Sequence, residues 1–491
     1  METFERKAYE KLASWKDSSQ GSTALLIEGA RRVGKSTIAE EFGRRNYASY
    51  MLVDFSKAPD DVLGYFVDLR NDLDAFFMYL SSFYGVELHR RDSLIIFDEV
   101  QLYPKAREAI KQLVADGRYD YIETGSLVSI RENVKDILIP SEEESIRLNP
   151  MDFDEFLWAL GEKPLSTLIA DSFKKRMPLP DSLHRKAMRL FREYMLVGGM
   201  PQAVSKYVET HDFSKVDNVK RNILRLYRQD ISKHGGSDRI RITRIFDNLV
   251  GQLSKKEKKF NITSLGKEAK TRDYEDAFFW LSDAFITNDC FNSTDPSVGL
   301  SISEDHSTVK CYAADTGLLT TLALADSEQT GSNLYRDILL ERIEINEGML
   351  AENVVAQLLR ANGHRLFFYS RSDRDDPSNR MEIDFLIVEP YENAAMKYRV
   401  SPIEVKSSKR YRTVSLDKFK AKFDKKVGTR YVLHPKPLVV ENDVVNLHGG
   451  TAVEGFMQTA LFGALPANDA QHLRTHMLST LNTSVCCPSP G

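Results

Sequence analysis

The chain is poor in the features that mark whole classes of protein. It has only four cysteines in 491 residues. Cys290, Cys311, Cys486 and Cys487 follow no metal-site spacing, so neither a zinc module nor a disulfide framework is expected. No run of about eighteen apolar residues occurs, so no membrane-spanning helix is expected. The opening METFERKAYEKL is charged and lacks the apolar core of a signal peptide. These absences together point to a reducing cytoplasm. Charge of one sign is also missing: 67 Lys and Arg stand against 71 Asp and Glu, a net charge of −4. Nucleic-acid contact would then have to come from local patches. Two basic runs stand out. One is KKEKK at Lys255 to Lys259 with Lys267, Lys270 and Arg272; the other runs from Lys406, Lys409, Arg410 and Arg412 to Lys425 and Lys426. Each suits a solvated face as well as a phosphate-binding one.

What is present is an ordinary globular composition, 42% hydrophobic and 28% charged, which excludes wholesale disorder. The length exceeds one hydrophobic core and divides into domains. Residues 1–150 alternate apolar runs (Ala24–Glu28, Tyr50–Asp54, Leu94–Asp98, Tyr121–Thr124) with helical patterns (Thr37–Arg44, Lys105–Asp116), the signature of a parallel sheet covered by helices. Residues 151–235 turn helical. Residues 236–325 read as helices at Ile240–Leu253, Thr263–Ser264 and Asp273–Phe285, then a hairpin turning at Cys290–Pro296 and returning at Val309–Ala313: a winged-helix-like unit. Its third helix is acidic through Asp273, Glu275 and Asp276, which suits a phosphate-lined groove poorly, and its Phe278, Phe279 and Trp280 read as core. Residues 326–448 combine a helix at Gly348–Asn362 with strands at Arg365–Tyr369, Glu382–Val388, Val400–Lys406 and Arg430–Leu433. The tail, 449–491, loses periodicity and is expected to be poorly ordered.

The sharpest chemical signal is Gly29-Ala30-Arg31-Arg32-Val33-Gly34-Lys35-Ser36, which follows an apolar strand and opens a helix. This is the G-x-x-x-x-G-K-[ST] phosphate loop. Its backbone N–H groups cradle phosphate, Lys35 reaches the β- and γ-phosphates and Ser36 ligates Mg²⁺. The ATP-binding set is therefore Gly29, Arg31, Arg32, Val33, Gly34, Lys35, Ser36 and Thr37. Leu94-Ile95-Ile96-Phe97-Asp98-Glu99 supplies the acidic strand end: Asp98 for Mg²⁺, Glu99 to polarise the attacking water. Two carboxylates after four apolar residues are costly without a cation. Thr124-Gly125-Ser126 ends the next strand, with Ser126 nominated as the γ-phosphate sensor and Thr124 as second choice. Arg131 is the nearest candidate for an arginine finger.

These motifs, followed by Pro150-Met151-Asp152-Phe153-Asp154-Glu155-Phe156-Leu157, resemble the AAA+ ATPases called the archaeal-type or AAA_14 family. Tyr194-Met195-Leu196-Val197-Gly198-Gly199-Met200-Pro201 is similar to that family's lid motif, and also to the G-x-P element of signalling NTPases, whose proline packs on adenine. The resemblance implies that Gly199 and Pro201 line the base pocket. It implies an α/β fold: a P-loop AAA+ parallel sheet with a helical lid, the winged-helix-like middle domain and a C-terminal restriction-endonuclease-like domain. That last domain resembles the PD-(D/E)XK nuclease fold through Lys310-Cys311-Tyr312-Ala313-Ala314-Asp315-Thr316-Gly317-Leu318, Glu352, Glu382-Ile383-Asp384 and Ile403-Glu404-Val405-Lys406. Read as chemistry, Asp384 and Glu404 on neighbouring strands hold Mg²⁺, Lys406 on the face of Glu404 orients a water, and Glu352 completes the site. A salt-bridged strand edge gives the same E-x-K pattern. The expected function is an Mg²⁺-dependent ATP hydrolase coupled to a nuclease-like domain and acting on DNA. The alternative is an ATP/ADP-switched signalling or scaffold protein with an inactive C-terminal domain. Expected partners are ATP, DNA, a protein docking on the middle or C-terminal domain, and further copies of the chain, with no membrane.

Overall fold

The computed structural model describes residues 3–125, 141–255, 257–266, 268–325, 332–339, 346–371, 380–390, 398–407, 411–435, 437–441 and 444–448. Ser126, Arg131 and the tail 449–491 lie outside them. Among the described residues, the first sheet has five strands: β1 (Ala24–Gly29), β2 (Ser49–Asp54), β3 (Ser93–Asp98), β4 (Asp120–Gly125) and β5 (Glu143–Leu148). All pair in parallel in the order β2-β3-β4-β1-β5.

Such a sheet is apolar on both faces because helices cover both. In β3, Leu94 and Ile96 join one hydrophobic cluster with Leu25 and Ile27 of β1, while Ile95 and Phe97 join another with Met51 and Val53 of β2. The second face is capped by helices Asp60–Asp68 and Leu73–Tyr84, through Phe66, Phe76 and Phe77. β4 intervenes between β1 and β3. Its carboxyl end therefore lies between the ends of those two strands, where the phosphate loop and Asp98 sit.

The chain then becomes helical: Phe153–Ala159, Lys163–Lys174, Asp181–Val197, Pro201–Thr210 and Phe213–His234. The first is held by a capping box in which Asp152 and Glu155 satisfy each other's backbone N–H groups. Helices Arg239–Leu253 and Glu275–Asp283 follow, separated by short 3₁₀ turns at Ile262–Leu265 and Thr271–Tyr274. The acidic helix buries Phe278, and the Trp280 indole N–H donates to the His234 carbonyl at 3.2 Å.

The expected hairpin differs in two ways. Cys290 sits within β6 (Thr287–Ser293), and the connection to β7 (Glu304–Ala313) lies beyond Ser293. Nor does the pair stand free as a wing. Among the described residues it continues through β8 (Leu366–Arg371), β9 (Met381–Pro390), β10 (Tyr398–Val405), β11 (Arg430–His434), β12 (Leu438–Glu441) and β13 (Val444–His448) as one eight-stranded sheet, ordered β12-β13-β11-β10-β9-β8-β6-β7. The parallel pairing of β6 with β8 through Cys290–Leu366 and Phe291–Phe367 makes that join. The sheet thus crosses the expected boundary at 325/326. Helix Glu347–Ala361, capped by the Asn346 side chain accepting from Met349 N at 2.9 Å, packs on it. Among the described residues no helix is long and apolar enough to cross a membrane.

Candidate nucleotide site and C-terminal carboxylate cluster

The phosphate loop joins β1 to helix Lys35–Asn46. Arg32 (φ 69°) and Gly34 (φ 97°) take left-handed backbone, which turns the chain sharply into the helix. Lys35 is buried, and its ammonium donates to the Gly29 and Ala30 carbonyls, each at 3.1 Å. Burial lowers its pKa, opposed by Glu99 and Asp98. The Ser36 hydroxyl donates to Asp98 Oδ1 at 2.7 Å, and Thr124 Oγ1 donates to the same oxygen. Thr124, the second-choice sensor, therefore touches the acidic strand end directly. Glu99 follows with left-handed backbone (φ 57°), and the Gln101 amide donates to its carboxylate. A non-glycine residue in that conformation is held by its surroundings.

Two of the clefts beside the loop bear on nucleotide binding. One is lined by Gly34, Thr37 and Ile38, by Pro201, and by Phe4, Arg6 and Tyr9 near the start of the chain. This is where a base attached to loop-bound phosphates would lie. Pro201 reaches it; Gly199 does not line it. Gly199 lies behind, with its carbonyl accepting from Met151 N at 2.7 Å and its own N–H donating to the Asp315 carboxylate at 2.6 Å. A Cβ at Gly199 would fall 2.0 Å from the Met151 carbonyl oxygen. The glycine is needed for close backbone approach, and the proline is the residue presented.

The N-terminal contribution is absent from the expected site. Arg6 donates to the carbonyls of Val33 at 3.3 Å and Asn149 at 2.7 Å and pairs with Glu155 at 3.1 Å. Lys7 bridges Asp152 at 2.5 Å and Asp154 at 2.8 Å. Burial opposes the Lys7 charge, yet these two carboxylates outweigh it and raise its pKa. The acidic run after Met151 thus anchors the N-terminus against the loop. The only local signal for this is the adjacent Arg6-Lys7 pair.

The other cleft holds Lys35, Glu99, Arg31, Tyr227, Asp230 and Lys233. Arg31 pairs with Asp230 at 2.5 Å, tying the loop to helix Phe213–His234. These helix residues carry no local signal in the sequence.

In the C-terminal region Glu352, Asp384, Glu404 and Lys406 do approach one another: Asp384 acts electrostatically on the other three. Each carboxylate is already paired. Glu352 accepts from Lys258 and from the Tyr312 hydroxyl at 3.2 Å. Asp384 accepts from Val405 N at 2.8 Å and lies 3.7 Å from the Lys310 ammonium, which is 2.7 Å from Glu382. Glu404 pairs with Lys406 at 2.9 Å. Lys258 and Lys310 are the cations that the sequence-based site lacks, and Lys310 is almost wholly buried, at 1% exposure. Among the described residues no group of three His, Cys, Asp or Glu is arranged to hold a metal ion. The set as it stands does not fit Mg²⁺.

Residues 21–157 match a family model described as an AAA domain. That stretch holds the five-stranded parallel sheet and the phosphate loop. Two further models, described as domains of unknown function, match residues 188–329 (DUF8612) and 347–448 (DUF4143). The first of these spans the expected boundary at 235/236. No curated protein matches the chain. Solved structures similar to it include PCH-2 of C. elegans (10% identity, TM-score 0.20, covering 37% of this chain and 50% of that one). Domain III of the Thermotoga maritima replication initiation protein DnaA is another (12%, 0.25, 44% and 90%). A DNA replication initiation factor is a third (12%, 0.26, 56% and 79%). The chain spans half the length of the PCH-2 structure.

Proposed function

We propose that the chain binds ATP with Mg²⁺, hydrolyses it to ADP and phosphate, and passes the nucleotide state to its C-terminal region. The observation that carries this is the convergence of Ser36 and Thr124 on one oxygen of Asp98, beneath a loop whose Lys35 is buried. The neighbouring hydroxyl and carboxylate fit a divalent ion, held by Ser36 and Asp98. When bound, Mg²⁺ would supply charge neutralisation at the β- and γ-phosphates. Lys35 exchanges its two loop carbonyls for phosphate oxygens. Glu99, steadied by Gln101, accepts a proton from the attacking water as its oxygen bonds to the γ-phosphorus and the bond to ADP breaks. Thr124 keeps Asp98 oriented. Pro201, Phe4 and Tyr9 give the base an apolar surface.

For the C-terminal domain, the paired state of Glu352, Asp384 and Glu404 favours a docking scaffold over a metal-dependent nuclease. The test has two arms. In phosphate-release assays, Glu99→Gln should retain ATP binding and lose about a hundredfold or more in turnover; unchanged turnover would remove Glu99 as the base. Supercoiled DNA incubated with Mg²⁺ or Mn²⁺ should stay intact. Cutting by the parent protein but not by Asp384→Ala would restore the nuclease reading.

A further inference from the structure

Four lysines of the two basic runs conspicuous in the sequence are held in ion pairs. Lys258 is buried against Glu352, and Lys259 pairs with Glu257 at 3.1 Å. Lys406 pairs with Glu404 at 2.9 Å and Lys426 with Asp295 at 2.8 Å. A different positive surface runs along helix Phe213–His234. Arg221, Arg225 and Arg228 stand at i, i+4 and i+7 and share one side of that helix. Two clefts meet at Arg225. One is lined by Arg32, Gln202, Asn222 and Arg225; the other takes in Arg221, Arg225, Arg228 and Thr321.

Arg32, Arg225 and Arg228 are exposed. Among the described residues, Arg32 and Arg225 have no hydrogen-bond or ion-pair partner, and no acidic side chain lines either cleft. Arg221 and Arg228 are paired with Asp217 and Asp247, at 2.6 and 2.8 Å.

We propose that this groove binds the phosphodiester backbone of a nucleic acid. Two unpaired guanidiniums, Arg32 and Arg225, flanked by the ion-paired Arg221 and Arg228, suit an extended polyanion better than a single phosphate. The helix rises about 1.5 Å per residue, so Arg221 and Arg228 are about 10 Å apart along its axis. Guanidinium forks match phosphate oxygens, and the Gln202 and Asn222 amides are the neutral donors that commonly accompany them. The described lining contains no aromatic side chain. That argues against base stacking and against the aromatic anchor of a protein interface, and leaves backbone contact without sequence preference. None of Glu352, Asp384, Glu404 and Lys406 lines either cleft, so the proposal does not depend on their chemistry.

The test is fluorescence anisotropy on the full chain, with labelled single-stranded and duplex oligonucleotides and with polyglutamate as an acidic polypeptide. Binding should weaken with salt. In Arg225→Ala/Arg228→Ala the log–log salt slope should fall by about 1.4 for single strands and about 1.8 for duplex. ATP turnover without nucleic acid should be unchanged, which separates failure of this site from failure of the ATPase reading. Three results would overturn the proposal: no oligonucleotide binding, binding that the double substitution leaves unaltered, or polyglutamate binding as tightly with the same arginine dependence. The last would assign the groove to an acidic protein.

Discussion

The backbone N–H of Gly199 donates to the Asp315 carboxylate at 2.6 Å, across 116 positions of chain. Asp315 also caps helix Thr316–Ala323 by accepting from Leu318 N at 2.8 Å. Gln357 reaches the same carboxylate at 3.5 Å and donates to the Tyr194 hydroxyl at 2.9 Å. Gln357 lies on the helix that carries Glu352. The loop presenting Pro201 to the base cleft is therefore hydrogen-bonded to the frame of the C-terminal cluster.

Asp315→Ala should destabilise the protein by about 2–4 kcal/mol, the sum of a lost N-cap and an orphaned buried N–H. It should also weaken ATP binding, since Met200-Pro201 loses its anchor. Denaturant titration and calorimetry read the two effects. Normal ATP affinity in a folded variant would show that the loop is held without Asp315.

Thr124→Val keeps the shape of the side chain and removes the hydroxyl shared with Asp98. A hydrogen bond to a charged group contributes about 1.5–3 kcal/mol, so kcat should fall about ten- to a hundredfold with KM little changed. A raised KM with normal kcat would instead place Thr124 in ground-state binding.

Lys310→Met leaves Glu382 and Asp384 without their ammonium. Breaking a buried pair in this way costs about 3–5 kcal/mol. Lys310→Met/Asp384→Asn should regain part of the deficit. A deficit that the second substitution leaves unaltered would mean that lost packing, not charge, is responsible.

Asp289 is half-buried on β6 with one carboxyl oxygen enclosed, and this desolvation pushes its pKa up to about 7. The folded state then holds a proton that the unfolded chain releases near pH 4, so stability falls as pH rises between about 4 and 7. Asp289→Asn should flatten that slope and raise Tm at pH 8. A slope unaltered by the substitution would mean that the Asp289 carboxyl is not protonated in the fold.

Much of the nucleotide site was legible because its chemistry is local. A glycine-framed loop between a strand and a helix, and two carboxylates ending an apolar strand, carry their meaning in adjacent residues. What was missed depends on distant partners. Arg6 and Lys7 acquire their role only from Asp152, Asp154 and Glu155, and Lys310 shows no local sign that it is buried. Strand β5 escaped notice because Glu143, Glu144 and Arg147 interrupt its apolar pattern, as an edge position permits. The sequence puts the hairpin turn too early because β6 buries polar residues. Asn288, Asn292 and Ser293 are all inside, and Asn292 accepts from Ser370 N at 2.9 Å.

The most direct test is isothermal titration of the full chain with Mg²⁺ and ATP, beside Lys35→Ala. The account requires saturable heat with one site per chain in the parent protein, and its loss in the variant. No heat from the parent, or the same isotherm from both proteins, would contradict a nucleotide held by this loop.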